Sequence, residues 1–174
     1  MKQINCFRTF EIFIVAIAIL FIISLTASLL FHRSGSENTK VKSAILAISA
    51  AIKNYDNVYG SLPCETDTVV RLGENNPGGY DRMMELLTGI DGPDKDSEAT
   101  RNSKQINFLY TFENYKTDGW VDEWKTRYNI ILNSTSKQSV KIGKRTMLGS
   151  IFVYSSGENK RNENGGGDDI AGWK

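Results

Sequence analysis

Residues 12–31 read IFIVAIAILFIISLTASLLF, a run of twenty residues without a charged side chain and with three hydroxyl groups as its only polar side chains. As an α-helix this run reaches about 30 Å, which matches the hydrocarbon core of a bilayer. Lys2 and Arg8 precede it, so the positive-inside bias predicts a cytoplasmic N-terminus and an extracytoplasmic body. A cleaved secretory signal is the alternative, with residues 26–28 as its small-residue site, although residues 29–31 prolong the apolar run.

The overall charge and the rarity of histidine exclude several classes of function. The 174 residues carry 21 basic and 20 acidic side chains, so no global field draws the chain to nucleic acid, and no nucleic-acid partner is expected. The single histidine, His32, lies beside the apolar run, which argues against Ser-His-Asp, Cys-His and multi-histidine zinc catalysis. Cys6 and Cys64 flank the run, and a span between them would prevent a disulfide within one chain.

Glu11 directly precedes the apolar run. A carboxylate costs about 2.5–3.5 kcal/mol if it enters the bilayer core, so Glu11 should have a partner there. The alternative is that Glu11 reaches back to the cytoplasmic interface and has no further role. Its context favours a partner, because the stretch CFRTFE at residues 6–11 resembles the prepilin signal of type IV pilins and type II secretion pseudopilins, whose pattern is GFTLIE.

The resemblance implies a processing step at the cytoplasmic face of the membrane. A prepilin peptidase would remove residues 1–6 by cutting between Cys6 and Phe7, and the new amine of Phe7 would be methylated. Cys6 stands where the family has Gly, and Arg8 stands where it has Thr. The terminal amine of a neighbouring copy would then neutralise the carboxylate of Glu11 in the bilayer, which sets the register of assembly.

Beyond the apolar run, apolar side chains recur at spacings of three and four, as on one face of an amphipathic helix. These side chains are Val41, Ala44, Ile45, Ile48, Ala51, Ile52, Tyr55 and Tyr59. The pattern predicts a helix over residues 37–59 that ends at Gly60. If this helix continues the membrane helix, residues 7–59 form a rod of about 80 Å with Gly35 as its weak point. The alternative is a separate surface helix on a tethered domain.

The remainder of the chain predicts one short helix and several strands. Tyr80, Met83, Met84 and Leu87 fall on one face of a helix that Gly89 should cap. Alternating or apolar runs predict strands over residues 106–112, 127–132, 139–142 and 150–154. Turn residues separate the later runs, which favours an antiparallel meander over parallel βαβ units. The predicted fold class is therefore α+β.

Two tryptophans stand in one short segment. Residues 118–124, DGWVDEW, resemble the family's DPWGNPY turn before the first strand of the sheet, with Trp120 as the best-matched position. The turn is interpreted as structural, because aromatic side chains in tight turns often fill a small core. The alternative is that Trp120 and Trp124 form an exposed surface for a glycan or another partner.

The C-terminal segment, residues 155–174, is rich in glycine and polar residues, and its composition alone predicts a flexible tail. Ile170 and Trp173 are apolar anchors near its end, so we expect the loop to fold back on the sheet. The adjacent Asp168 and Asp169 repel each other unless a cation neutralises them, and oxygen ligands around a glycine-rich bend suit Ca²⁺.

The same segment resembles the ending of G-type major pseudopilins, in which glycines lead to an acidic pair, an Ile and a Trp. In that family the loop binds calcium, so the resemblance implies Asn159, Asp168 and Asp169 as ligands of a Ca²⁺ ion. The alternative is a cation-free loop held by hydrogen bonds, because Lys160 and Arg161 would oppose a cation.

These segments together resemble the pilin architecture. It implies a leader at residues 1–6, a transmembrane helix at 7–33, its amphipathic continuation at 34–60 and a globular domain at 61–174 that includes the acidic loop at 155–174. The long N-terminal helix, half in the membrane and half amphipathic, would pack on a small antiparallel β-sheet.

The function that the resemblance implies is structural. The chain would be a subunit of a type II secretion pseudopilus or type IV pilus-like filament, held in the bacterial inner membrane with a periplasmic domain and polymerised for protein secretion. Its partners would be copies of itself, minor pseudopilins, the prepilin peptidase and the inner-membrane assembly platform. One alternative is a single-pass extracytoplasmic binding protein that does not polymerise. A hydrolase that uses Asp168 and Asp169 lacks an accompanying base or nucleophile, so no enzyme activity is expected.

Overall fold

The structure, a computed structural model, describes residues 3–63, 69–89, 102–110, 119–135 and 139–173. In the first helix, the described side chains are those of residues 17, 19–24 and 35 onward. Cys6, Phe7 and Glu11 therefore lie outside the described side chains. The chain comprises two units, Met1–Thr39 and Lys40–Lys174.

The first helix, α1, begins at Gln3 and ends at Tyr59. In its earlier part, the large apolar side chains that the structure describes are 52–70% exposed: Ile17, Ile19, Leu20, Phe21, Ile22 and Ile23. Among the described side chains, no helical stretch is both long and apolar enough to cross a membrane. The predicted span, residues 12–31, lies largely outside those side chains.

The end of α1 lies where the sequence predicts it. Gly60 has a positive φ of 70°, which stops the helix, and its N–H donates to the carbonyl oxygen of Asp56 at 2.8 Å. The helical backbone of α1 runs through Gly35 without interruption.

The second unit is built on the later part of α1. Its predicted apolar face is buried, with Val41, Ile45, Ile48, Ile52 and Tyr55 each no more than 1% exposed. These side chains form one core with the inner face of the sheet. Burying each of them stabilises the fold by about 1.5–3 kcal/mol. The apolar face of the later part of α1 therefore packs on the sheet.

The second helix, α2 (Pro77–Thr88), confirms the predicted short helix. The side chain of Asn76 caps its N-terminus by accepting a hydrogen bond from the N–H of Gly79 at 3.1 Å. Pro77 occupies the first turn, where its missing N–H has no cost, and Gly89 ends the helix in a left-handed conformation. The expected apolar face, including Tyr80 and Met84, is fully buried.

Six short strands lie in the described part of the second unit. They are β1 (Val69–Leu72), β2 (Asn129–Asn133), β3 (Ser139–Ile142), β4 (Arg145–Leu148), β5 (Ile151–Ser155) and β6 (Ile170–Ala171). Four of them form an antiparallel sheet in the order β1-β2-β5-β6, while β3 and β4 form a separate hairpin. The predicted α+β class with a small antiparallel sheet is confirmed.

The sheet is covered on both faces. Ile130 and Val153, paired across β2 and β5, belong to the core shared with α1. Their neighbours Ile131 and Phe152, also paired, belong to a second cluster with Val140 of the β3–β4 hairpin. Because successive side chains point to opposite faces, β2 is buried at all five of its positions.

The predicted meander is wrong in its strand order. β2 pairs with β5 and not with β3, because the β3–β4 hairpin packs across the face of the sheet instead of extending it. The residues around Gly143, which were expected only as a turn, form the two-residue connection of this hairpin. β4 follows immediately and was not predicted.

The strand predicted over residues 106–112 is also wrong for residues 106–110, and residues 111–112 lie outside the described part. The N–H groups of Phe108 and Leu109 both donate to the carbonyl oxygen of Leu87, at 2.8 and 3.1 Å, so this segment bonds to the end of α2. The ring of Phe108 packs edge-on against Tyr55 at 5.6 Å. Of the alternating apolar side chains, Phe108 packs on the end of α1 whereas Tyr110 is 80% exposed, and the edge of the sheet is formed by β1.

Candidate functional site

The C-terminal loop, residues 156–169, connects β5 to β6 and is held at both ends. Ile170 and Ala171 of β6 pair with Ser155 and Tyr154 of β5. Beyond them, the ring of Trp173 packs edge-on against Tyr154 at 5.5 Å. The expectation that the loop folds back on the sheet is confirmed, and the flexible tail suggested by composition is wrong for residues 156–173.

Asp169 organises the interior of this loop. Its carboxylate oxygen Oδ2 accepts hydrogen bonds from the N–H groups of Glu163 at 3.0 Å and Gly165 at 2.7 Å. The residue is only 3% exposed. Asp169 therefore closes the glycine-rich bend from inside, immediately before β6.

Two further carboxylates lie at the same point. Asp168 Oδ2 accepts a hydrogen bond from the N–H of Asn159 at 2.9 Å, and Glu163 Oε2 accepts one from the N–H of Asp168 at 3.2 Å. One carboxylate oxygen from each of Glu163, Asp168 and Asp169 lies within 4.8 Å of the others. We call these three residues the acidic cluster.

Glycine is required at the narrowest points of the loop. Gly157 has a φ of +66°, and a Cβ atom there would lie 2.6 Å from the carbonyl oxygen of Asp168. At Gly167, whose φ is +42°, the space for a Cβ is occupied by the carboxylate of Glu163. A side chain at either position would separate the carboxylates.

The electrostatics of the acidic cluster are unfavourable without a counter-charge. Burial raises the pKa of Asp169, and the hydrogen bonds from Gly165 and Glu163 oppose this effect only in part. The charges of Glu163 and Asp168 raise the pKa of Asp169 further. A cation bound at the acidic cluster would therefore stabilise the charged form of Asp169.

The structure brings together two of the three ligands that the resemblance implies. Asp168 and Asp169 are in the acidic cluster, whereas Asn159 contacts it through its N–H group. The side-chain oxygen of Asn159 accepts a hydrogen bond from the N–H of Arg161 at 2.6 Å. Glu163 was missed by sequence reasoning, although an acidic residue a few positions before an acidic pair, across three glycines, was the available signal.

The donor chemistry of the acidic cluster fits a hard divalent cation. All three side chains offer carboxylate oxygens, which are preferred ligands of Ca²⁺, and no softer ligand takes part. A carboxylate oxygen has two lone pairs, so accepting an N–H group leaves capacity for a cation. Glu163, Asp168 and Asp169 are the residues that would hold it.

The tryptophan turn is structural, as the sequence interpretation stated. Trp120 is 8% exposed and belongs to the core beneath α1, and its carbonyl oxygen accepts a 2.7 Å hydrogen bond from the buried hydroxyl of Tyr80. Trp124 is partly buried and packs against the same core. An exposed surface formed by this pair, the alternative considered above, is wrong.

A buried carboxylate holds this turn to the sheet. Asp122 is 3% exposed, and its Oδ1 accepts hydrogen bonds from the N–H groups of Trp124 at 3.0 Å and Thr126 at 2.9 Å. Its Oδ2 accepts the hydroxyl hydrogens of Thr126 at 2.7 Å and of Ser155 at 2.6 Å. Four donors therefore satisfy Asp122, and sequence reasoning did not single out this residue.

Comparison with protein-family models, curated proteins and solved structures finds no match to this chain.

Proposed function

We propose that this chain is a structural subunit of a pilus-like filament, of the type II secretion pseudopilus or type IV pilus kind, and has no catalytic role. The observation that supports the proposal best is helix α1. Its described side chains at residues 17 and 19–23 are apolar and exposed, while its later face is buried in the core of the second unit. An exposed apolar helix surface needs lipid or other helices around it. Before assembly the membrane would surround this surface with lipid, and in the filament copies of the same helix would surround it.

The proposal includes a location and a set of partners. The chain is inserted once in the bacterial inner membrane, with a cytoplasmic N-terminus and a periplasmic body. A prepilin peptidase processes it, and an inner-membrane assembly platform adds it to a filament that also contains minor pseudopilins. Protein secretion is the process that this filament serves.

A bound calcium ion is part of the same proposal. Glu163, Asp168 and Asp169 would hold the ion, which supplies positive charge to three carboxylates that repel each other. Because Asp169 directly precedes β6, the ion would also fasten the C-terminal loop to the sheet. Its role would be structural and not catalytic.

The leader predicts a defined cleavage. When the chain is produced together with a prepilin peptidase, we expect it to lose residues 1–6 and to begin at Phe7, because the carboxylate of Glu11 follows the cut site at the family's spacing. Mass spectrometry of the intact purified chain measures the loss. Cys6→Gly, which restores the family's residue, should raise the rate of cleavage.

The matched control is production with a catalytically inactive peptidase, which should leave the leader in place, with Met1 or Lys2 at the N-terminus. A mature chain that begins near Leu29 would indicate an ordinary signal peptidase and would contradict the proposal. Retention of the leader in both wild type and Cys6→Gly would contradict it as well.

The acidic cluster predicts a response to calcium. We expect Ca²⁺ to raise the Tm of the full chain in detergent micelles, because a ligand that binds only the folded state stabilises it, by about 2.7 kcal/mol at a hundred times its Kd. Mg²⁺ should act more weakly, since its octahedral shell is rigid and it loses water reluctantly. Differential scanning fluorimetry with and without a chelator measures both shifts.

The variant Asp168→Ala with Asp169→Ala should lose the calcium-dependent shift, whatever its Tm without calcium. Glu158→Ala is the matched control, because Glu158 is exposed in the same loop and lies outside the acidic cluster. An equal Tm of the wild type in calcium and in chelator would show that the loop is held by its hydrogen bonds alone.

A further inference from the structure

A polar pocket of about 410 Å³ lies where β1, the β3–β4 hairpin and the C-terminal loop meet. We call it the asparagine pocket, since Asn75, Asn129, Asn162 and Asn164 are among its lining residues. Its volume lies within the range of about 300–1,000 Å³ that is typical of small-molecule sites. It is separate from the acidic cluster, none of whose three residues lines it.

Part of this pocket is a fixed hydrogen-bond network. The side chain of Asn162 donates to Asn129 Oδ1 at 2.9 Å and accepts the hydroxyl hydrogen of Tyr154 at 2.9 Å. Asn129 in turn donates to the hydroxyl of Ser156 at 3.0 Å. Asn129, Tyr154 and Ser156 are buried, so this side of the pocket has its polar groups already oriented.

Another part is available for a ligand. Within the part of the chain that the structure describes, the side-chain amides of Asn75 and Asn164 make no hydrogen bond, and both residues are exposed. Each amide offers donors and an acceptor, as does each hydroxyl group of a sugar. The side chains of Leu72 and Ile131 are buried in the cores on the two faces of the sheet, so the surface open to a ligand is mainly polar.

Burial and the charge of the nearby Asp169 raise the pKa of Tyr154, so the acidic cluster acts on the asparagine pocket from outside its lining, which itself contains two cations. Arg71 and Lys141 line the pocket, and among the described lining residues none is acidic. Arg71 Nη2 donates to the backbone carbonyl oxygen of Lys141 at 2.7 Å, which joins β1 to the hairpin at the pocket. In the described part of the chain, neither cation forms an ion pair with a carboxylate.

We infer that the asparagine pocket binds an acidic sugar, either free or as one unit of an acidic polysaccharide. Arg71 and Lys141 would bind the carboxylate, for which charge-assisted hydrogen bonds are the strongest polar contacts available. The amides of Asn75 and Asn164 would bind ring hydroxyls. The inference concerns the folded body alone and does not depend on polymerisation.

Isothermal titration calorimetry on the full chain in detergent micelles tests the inference. The probes are galacturonate, its trimer, neutral galactose and inorganic phosphate. We expect galacturonate to bind more than about tenfold more tightly than galactose, because the charge-assisted contacts of both Arg71 and Lys141 are lost with the carboxylate. Tighter binding of the trimer would identify the polysaccharide as the source, and equal binding would identify the free sugar.

Lys141→Gln should weaken galacturonate binding about tenfold while leaving galactose binding unchanged. Lys144→Gln is the matched control, because Lys144 is an exposed cation of the same hairpin that does not line the pocket. A Tm equal to that of the wild type shows that each variant is folded.

Three results would overturn the inference. These are no heat of binding with galacturonate or its trimer, phosphate binding as tight as galacturonate binding, and equal losses in Lys141→Gln and Lys144→Gln. The second result would identify a simple anion site, and the third would identify diffuse attraction to the hairpin.

Discussion

In cells that contain the complete assembly machinery, the Glu11→Ala variant is expected to enter the membrane normally and to form no filament. Insertion should be unchanged or slightly improved, because a carboxylate at the start of the apolar run costs about 2.5–3.5 kcal/mol when it enters the bilayer core. Assembly should fail, because the terminal amine of the neighbouring copy would then have no opposite charge to pair with. Membrane fractionation and electron microscopy of sheared filaments measure the two steps separately.

Two further variants distinguish charge from size at this position. Glu11→Gln keeps the shape of the side chain but not its charge, so it should fail like Glu11→Ala. Glu11→Asp keeps the charge and should retain part of the filament yield. A normal yield from Glu11→Gln would contradict the role in assembly and would favour a carboxylate that only reaches the interface.

The Asp122→Ala variant is expected to lose about 3 kcal/mol or more of the free energy of unfolding. Asp122 is buried, with 3% of its surface exposed. Its removal leaves the N–H groups of Trp124 and Thr126 and the hydroxyl of Ser155 without their acceptor. Each buried donor without an acceptor costs about 1–3 kcal/mol. Thermal unfolding followed by near-ultraviolet circular dichroism should show a Tm lower by about 10 °C.

The adjacent carboxylate provides the control. Glu123 is exposed, and its ion pair with Lys40 at 3.6 Å is a surface contact, so Glu123→Ala should change the free energy of unfolding by less than about 0.5 kcal/mol. Equal effects of the two substitutions would show that the turn is not held by the four donors to Asp122.

The helices were predictable from sequence because their signals are local. The spacing of Val41, Ile45, Ile48 and Ile52 is sufficient to identify the buried face of α1. Gly60 ends the helix through its own backbone conformation, which needs no distant partner. Cap residues and apolar faces act within a few positions of one another, so the printed sequence contains them in full.

The sheet was less predictable because its pairing joins distant segments. Nothing near Val69 specifies that it pairs with Asn133, and a four-residue strand offers little periodicity. The burial of β2 on both faces depends on the β3–β4 hairpin crossing the sheet, which removes the alternation expected of a half-exposed strand. The strand prediction was wrong for residues 106–110, since the backbone of Phe108 and Leu109 bonds to the end of α2 and the ring of Phe108 packs against Tyr55.

The candidate sites also differ in how far they could be predicted from local sequence. Asp168 and Asp169 are adjacent in sequence, so their proximity required no folding argument. Glu163 joins them only because the glycine-rich loop turns back on itself. The asparagine pocket combines residues from β1, the hairpin and the C-terminal loop, and no spacing in the sequence indicates that Arg71 and Lys141 lie together.

The strand order also has a consequence for folding kinetics. The β3–β4 hairpin and then the β2–β5 pair join segments close in the chain, whereas β1 must find β2 across the whole of α2 and the long segment that follows it. Non-local pairs form late, since the entropy of closing a long loop must be lost before any contact offsets it. One edge of the apolar strand β2 therefore stays unpaired until β1 pairs with it, which is the slowest step of folding. Newly made chains are most prone to intermolecular pairing in that interval, and β1 ends it by covering the edge.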